Sequence, residues 1–173
     1  SEQAASESET SQSLTIDDFS PKQLVEEIDL EKRHLWEDRI ILLFADGPDH
    51  PEYREMAADL ANSSAGVKDR DIVVYHIFWS ETGMVGDAGI KPEVAETLRK
   101  KHAVLRDAFT YILFGKDGTQ KMRAEEAVPV ETVFDRIDRM PMRQRELRER
   151  SKTDQEAERD EKQAGDNSQK DDE

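Results

Sequence analysis

The chain has 173 residues, no cysteine and a formal net charge of -15, with 40 acidic against 25 basic side chains. A chain this acidic lacks the clustered Lys and Arg that neutralise phosphates, which argues against DNA, RNA or anionic lipid held by bulk electrostatics. Without a thiol there is neither a thiolate nucleophile nor a resolving partner, so dithiol redox chemistry is excluded.

The length suits one domain, and roughly two-thirds of the chain is patterned to make a core. No run approaches the roughly 20 apolar residues of a bilayer span. The chain opens on Ser1 rather than Met, as one that has lost a leader or tag would, and a cysteine-free composition fits either redox compartment.

In chain order, residues 1–13 are Ser, Glu and Gln with almost nothing to bury, and predict a disordered acidic tail that extends to residue 19. Ser20 followed by Pro21 signals a helix start, with Leu24, Val25 and Ile28 on one face. Arg39 to Ala45 is a continuous apolar run, as a strand covered on both faces requires, and Asp46-Gly47-Pro48 breaks it. Pro51 suits the first turn of a helix whose Tyr53, Met56, Ala57 and Leu60 recur at helical spacing. Gly66 and Asp69 to Asp71 separate it from a second strand, Ile72 to Trp79. The glycine-rich stretch Thr82 to Gly89 predicts a mobile loop, followed by a helix over Pro92 to Lys101. Phe109 to Gly115 is a third strand, and Lys116-Asp117-Gly118 turns the chain into a short fourth, Thr119 to Arg123. Pro129 opens a last helix with Val133, Phe134 and Ile137 inward. Residues 151–173, nearly all charge and amide, predict a second disordered tail, which leaves 20–150 as the folded domain.

The order β-α-β-α-β-β-α predicts an α/β fold with a central four-stranded mixed sheet, its first three strands parallel and its fourth antiparallel. That arrangement resembles the thioredoxin fold. Counted from Phe44, the segment Asp49-His50-Pro51-Glu52 stands where thioredoxins carry Cys-Gly-Pro-Cys, and Phe109 stands where they place a cis-proline facing that corner. A cis bond before Phe costs about 3 kcal/mol, so a trans bond is expected there.

Several stretches also resemble one family. They are Leu35-Trp36 with Arg39 to Ala45, Asp69-Arg70-Asp71, Leu113-Phe114-Gly115-Lys116-Asp117-Gly118 with Lys121 and Arg123, and Ile137-Asp138-Arg139-Met140-Pro141-Met142-Arg143 followed by Glu146. Together they resemble the domain-of-unknown-function family DUF4174 over roughly Leu30 to Arg150. The resemblance implies a thioredoxin-like domain, found in short bacterial proteins that are mostly exported and in larger matrix and sushi-repeat proteins of animals. It therefore implies a periplasmic or secreted setting, and it brings no catalytic residues.

Read from the residues, Asp46, Asp49, His50 and Glu52 gather carboxylates and an imidazole at a helix start, which suits a hard cation or an acid/base pair. The plainer reading is that Asp49 caps the helix, Glu52 favours its positive end and His50 faces solvent. The spacing fits neither a calcium loop nor a zinc motif, so no metal site is expected, and no cofactor motif is present. His34, His76 and His102 are scattered, and His76 reads as a satisfied strand residue. Met140, Met142, Arg143 and Arg145 form the one locally basic segment of an acidic chain. They either pack and pair with Glu146 and Glu149 or present a partner surface. The expectation is a non-redox, extracytoplasmic binding module whose protein partner the residues do not identify. The alternative is a carboxylate- or metal-dependent enzyme at the Asp46 to Glu52 corner.

Overall fold

The computed structural model describes residues 34–170, with side chains to residue 165. The helix expected after Ser20 and the tail before it lie outside the described residues. In chain order the elements are β1 (Arg39–Ala45), α1 (Pro51–Asn62), α2 (Ser64–Asp69), β2 (Ile72–Phe78), β3 (Gly83–Val85), β4 (Ala88–Ile90), α3 (Pro92–Lys101), β5 (Thr110–Phe114), β6 (Gln120–Ala124), α4 (Val130–Asp138) and α5 (Pro141–Lys170). The chain divides into two compact units, one reaching to Val133 and the other beginning at Phe134.

In the first unit every residue of β1 is buried, as its unbroken run of Ile, Leu and Phe demands. The strand lies inside a six-stranded sheet of order β4-β3-β2-β1-β5-β6. Ile40, Leu42 and Phe44 share one core with Tyr75, Ile77, Ile112 and with Val94, Ala95 and Leu98 of α3. Ile41 and Leu43 point to the other face by the two-residue period of a strand, and they too are fully buried. Removing such a side chain from water stabilises the fold by about 1.5–3 kcal/mol.

Two expectations about the sheet are corrected. β2 pairs parallel with β1, from Arg39 opposite Ile72 to Ala45 opposite Phe78, but β5 pairs antiparallel, with Phe44 opposite Thr110 and Ile40 opposite Phe114. A helix-length connection enforces parallel pairing only if the next strand starts from the same end. Here residues 102–109 carry the chain on past α3 to the Phe44 end of β1 before β5 begins. The sheet also has six strands rather than four, because the stretch expected as a loop folds into the β3–β4 hairpin on the outer side of β2. Gly83 serves close approach: a Cβ on it would lie 2.0 Å from the His76 carbonyl oxygen. Both edge strands are short, three residues in β4 and five in β6, and the β5–β6 pairing shifts register between Leu113 and Phe114.

The amino end of β1 is tied down by charge. Arg39 is fully buried; its backbone N–H donates to the Asp71 carbonyl at 2.8 Å and its Nη1 to the Arg70 carbonyl at 2.9 Å. Lys116 Nζ donates to Asp71 Oδ2 at 2.8 Å, and the Trp36 N–H donates to the Lys116 carbonyl at 2.6 Å. Nearby, the buried His34 ring is hydrogen-bonded to Asp38 at 2.8 Å and to the Tyr75 hydroxyl at 2.6 Å. Trp36, Arg39, Arg70, Asp71 and Lys116, from separate family-like stretches, thus meet through hydrogen bonds, which is how buried charge becomes tolerable.

In the second unit α5 runs through residues expected to form a disordered tail. Residues 151–165 are all exposed, so nothing apolar holds them. Strong helix formers such as Glu, Lys, Gln and Ala, together with local pairs of the kind Arg145 Nε makes with Glu149 at 3.7 Å, account for the helix.

Candidate functional site

The chain leaves β1 at Ala45 and turns over the end of β2. The Trp79 N–H donates to the Ala45 and Asp46 carbonyls at 3.2 and 3.1 Å, and the Ser80 N–H to Asp46 at 2.8 Å. Gly47 permits this closeness, since a Cβ there would lie 2.7 Å from Ser80 Oγ.

The cap of α1 is His50 rather than Asp49: His50 Nδ1 accepts from the Glu52 N–H at 3.3 Å, while Asp49 is exposed. Imidazole takes the place usually held by a carboxylate because Pro51 fixes the first turn and leaves Glu52 as the donor within reach. His50 is half-buried rather than fully solvent-facing, its ring centroid 6.0 Å from that of buried Phe109. Phe109 therefore faces the corner from the start of β5, as expected, through a trans peptide. Glu52 is turned to a structural use, its Oε2 accepting the Ala127 N–H at 2.6 Å, and Asp59 Oδ2 likewise accepts the Val130 N–H at 2.8 Å. A polar recess of about 360 Å³ remains beside Asp46, Asp49 and Ser80. Among the described residues no group of three or more His, Cys, Asp or Glu is placed to hold a metal ion.

His76 is satisfied within the strand. Its Nδ1 is hydrogen-bonded to the Tyr53 hydroxyl at 2.8 Å. Burial pushes the histidine pKa down; burial, then the Glu81 charge, pushes the tyrosine up, so the bond joins two neutral groups near neutral pH.

Sequence reasoning missed the surface next to this corner. Trp79, just past β2, is 47% exposed. The guanidinium carbons of Arg99 and Arg106 lie 5.3 and 4.8 Å from the Trp79 ring centroid. Arg99 is only 6% exposed, and its Nη2 is buried without a hydrogen-bond partner. Burial lowers its pKa, against the opposing pull of Glu96 and Asp46. A hollow of about 310 Å³ opens here between Phe78, Trp79, Ser80, Thr82, Glu96 and Arg99. One signal was available in the sequence: Arg99 follows Ala95 by four residues and so falls on the apolar stripe of α3.

The basic segment behaves differently from the surface expected of it. Arg143 is 2% exposed, its Nε donating to Asp138 Oδ1 at 3.2 Å and its Nη1 lying 3.8 Å from Glu146. Met140 is buried and Met142 half-buried, which leaves Arg145 as the exposed member of the four. Acids placed five residues before and three after Arg143 draw its guanidinium into an internal pair, so the four do not form an exposed Met and Arg surface.

A parallel β1–β2 pair, flanked by antiparallel β5–β6 and carrying a sulfur-free corner at the start of α1, defines a thioredoxin-like α/β domain without the redox thiols. The chain belongs to the family described as Domain of unknown function (DUF4174), whose profile matches residues 29–146. No curated protein matches it. Among solved structures it is similar to the reduced 2-Cys peroxiredoxin of Plasmodium vivax, at 10% identity and TM-score 0.48, covering 62% of this chain and 79% of that one. It is also similar to a thioredoxin-fold protein of Helicobacter pylori, at 12% identity and TM-score 0.44, covering 65% and 80%.

Proposed function

We propose that this domain works by binding a protein partner through the Trp79 face and not by catalysis. The observation that carries the reading is the large, half-exposed Trp79 ring at the carboxyl end of β2, bordered by Arg99 and Arg106. Trp and Arg dominate binding energy at protein interfaces, because a rigid aromatic and a planar cation fix much contact area at little entropic cost. The position supports it too: open α/β sheets bind ligands beyond the carboxyl ends of their strands, where connections diverge. The enzyme alternative gains nothing from the corner, where Glu52 is bonded to backbone and His50 caps a helix. The extracytoplasmic setting rests on the family resemblance alone.

A random peptide library displayed on phage and selected on the immobilised domain tests this reading. Selected peptides should bind Trp79→Ala at least about tenfold more weakly than the parent, and Asp49→Ala equally well. Binding that survives Trp79→Ala and fails with Asp49→Ala would move the site to the corner and overturn the reading.

A further inference from the structure

We infer that the hollow beside Trp79 is a carboxylate site, with Arg99 receiving the anion and the exposed Trp79 ring supporting the apolar group next to it. The inference rests on the reading of the Trp79 face as a binding surface and adds the chemistry of what binds there.

Arg99 occupies a place that Leu or Met would fill without cost. It sits on the buried stripe of α3 with Val94, Ala95 and Leu98, yet its Nη2 has no acceptor and its guanidinium carbon lies 5.3 Å from the Trp79 ring centroid. A buried donor left unmet is destabilising, and more so when it carries charge. The acids nearest in charge do not complete it. Glu96 lies 3.3 Å from Lys100, and Asp46 sits on the corner beyond Ser80. An acceptor arriving from outside completes the set.

The guanidinium fork matches the two oxygens of a carboxylate, and Arg106 adds a second cation over the same ring. Glu81 and Glu96 line the hollow and the Asp46 charge reaches Arg99, so a phosphate dianion is repelled more strongly than a carboxylate monoanion. The Ser80 and Thr82 hydroxyls on the rim supply further hydrogen bonds. Because the guanidinium lies against the Trp79 ring, an anion that engages it changes the surroundings of the indole, which therefore reports binding.

The carboxylate can come from a peptide C-terminus or from an acidic side chain, and three probes separate these sources. They are N-acetyl-glycyl-leucine with a free carboxylate, the same peptide as its carboxamide, and N-acetyl-glutamyl-leucinamide; inorganic phosphate is the fourth ligand. The readout is the indole Nε1–H signal of Trp79 in ¹H–¹⁵N spectra, assigned with Trp79→Phe. At least one of the two acids should shift that signal saturably, while the carboxamide and phosphate should not. The effective acid marks the source. Arg99→Met should weaken the response at least tenfold while keeping or raising the melting temperature, since it removes an unmet buried charge. Arg99→Lys, which keeps the charge and loses the fork, should weaken it as well. Equal shifts by acid and carboxamide, a larger shift by phosphate, no shift by either acid, or an undiminished response in both Arg99 variants would each overturn the proposal. Selected peptides that depend on Trp79 but carry no free carboxylate would overturn it while leaving the binding reading intact.

Discussion

His102 closes α3 with its ring centroid 6.4 Å from Phe44 and 5.3 Å from Phe114. Burial, then the charges of Lys101 and Arg123, push its pKa down to about 4. Because the folded-state value lies below the unfolded one, near 6.5, the unfolded chain takes up a proton over this window that the folded chain refuses. The stability is therefore complete above pH 6.5 and is lost as pH falls from there towards 4. His76, also depressed by burial, acts in the same direction. At Asp117 desolvation is outweighed by bonds from Thr119 and Lys121, which hold the carboxyl low, so its contribution fails only under more acid conditions. Melting curves between pH 7 and 4.5 should fall several degrees further for the parent than for His102→Gln, which keeps the backbone carbonyl that Arg123 donates to. Parallel curves for the two proteins would show that this imidazole is not the group responsible.

At the scale of elements, the β3–β4 hairpin depends on one close approach. The atom a Cβ on Gly83 would strike is a backbone oxygen, which cannot swing aside as a side chain can. Gly83→Ala should cost about 2–3 kcal/mol in urea unfolding. Gly89→Ala, whose Cβ would meet only a Thr82 methyl carbon at 3.4 Å, should cost well under half of that. Equal costs would mean that the hairpin tolerates displacement from β2.

The same elements show what a sequence can carry. The β1 run and the Pro92 helix start were legible because burial on two faces and a fixed φ leave marks in residue type. The hairpin was not, because glycine looks the same whether it loosens a loop or lets two strands touch. Nor was the direction of β5, which depends on where the preceding connection ends rather than on its length. The start of α1 was located correctly, but the plainer reading gave its cap to Asp49, whereas the structure gives the cap to His50 and uses Glu52 to hold backbone. Arg143 illustrates the same limit: arginines at 143 and 145 both pair with acids, yet 143 is buried and 145 exposed, because two residues apart on α5 they lie on different faces.

At the scale of the whole molecule, the charged end of α5 is separable from the stability of the rest. With residues 151–165 wholly exposed, only local pairs and propensity maintain the helix there. Deleting residues 151–173 should leave the melting temperature within about two degrees of the parent while reducing the helical circular dichroism signal. A drop beyond about five degrees would place a stabilising contact in that segment.

The two short edges of the sheet bear on how the protein behaves when crowded. An edge strand recruits other chains when it is long, flat and apolar. β4 is too brief to template much pairing, and β6 interrupts its own register and carries Lys121, held by Asp117 at 3.0 Å. Lateral strand addition is thus discouraged at both margins, which guards this acidic domain against fibre growth and directs association away from main-chain pairing towards side-chain contacts.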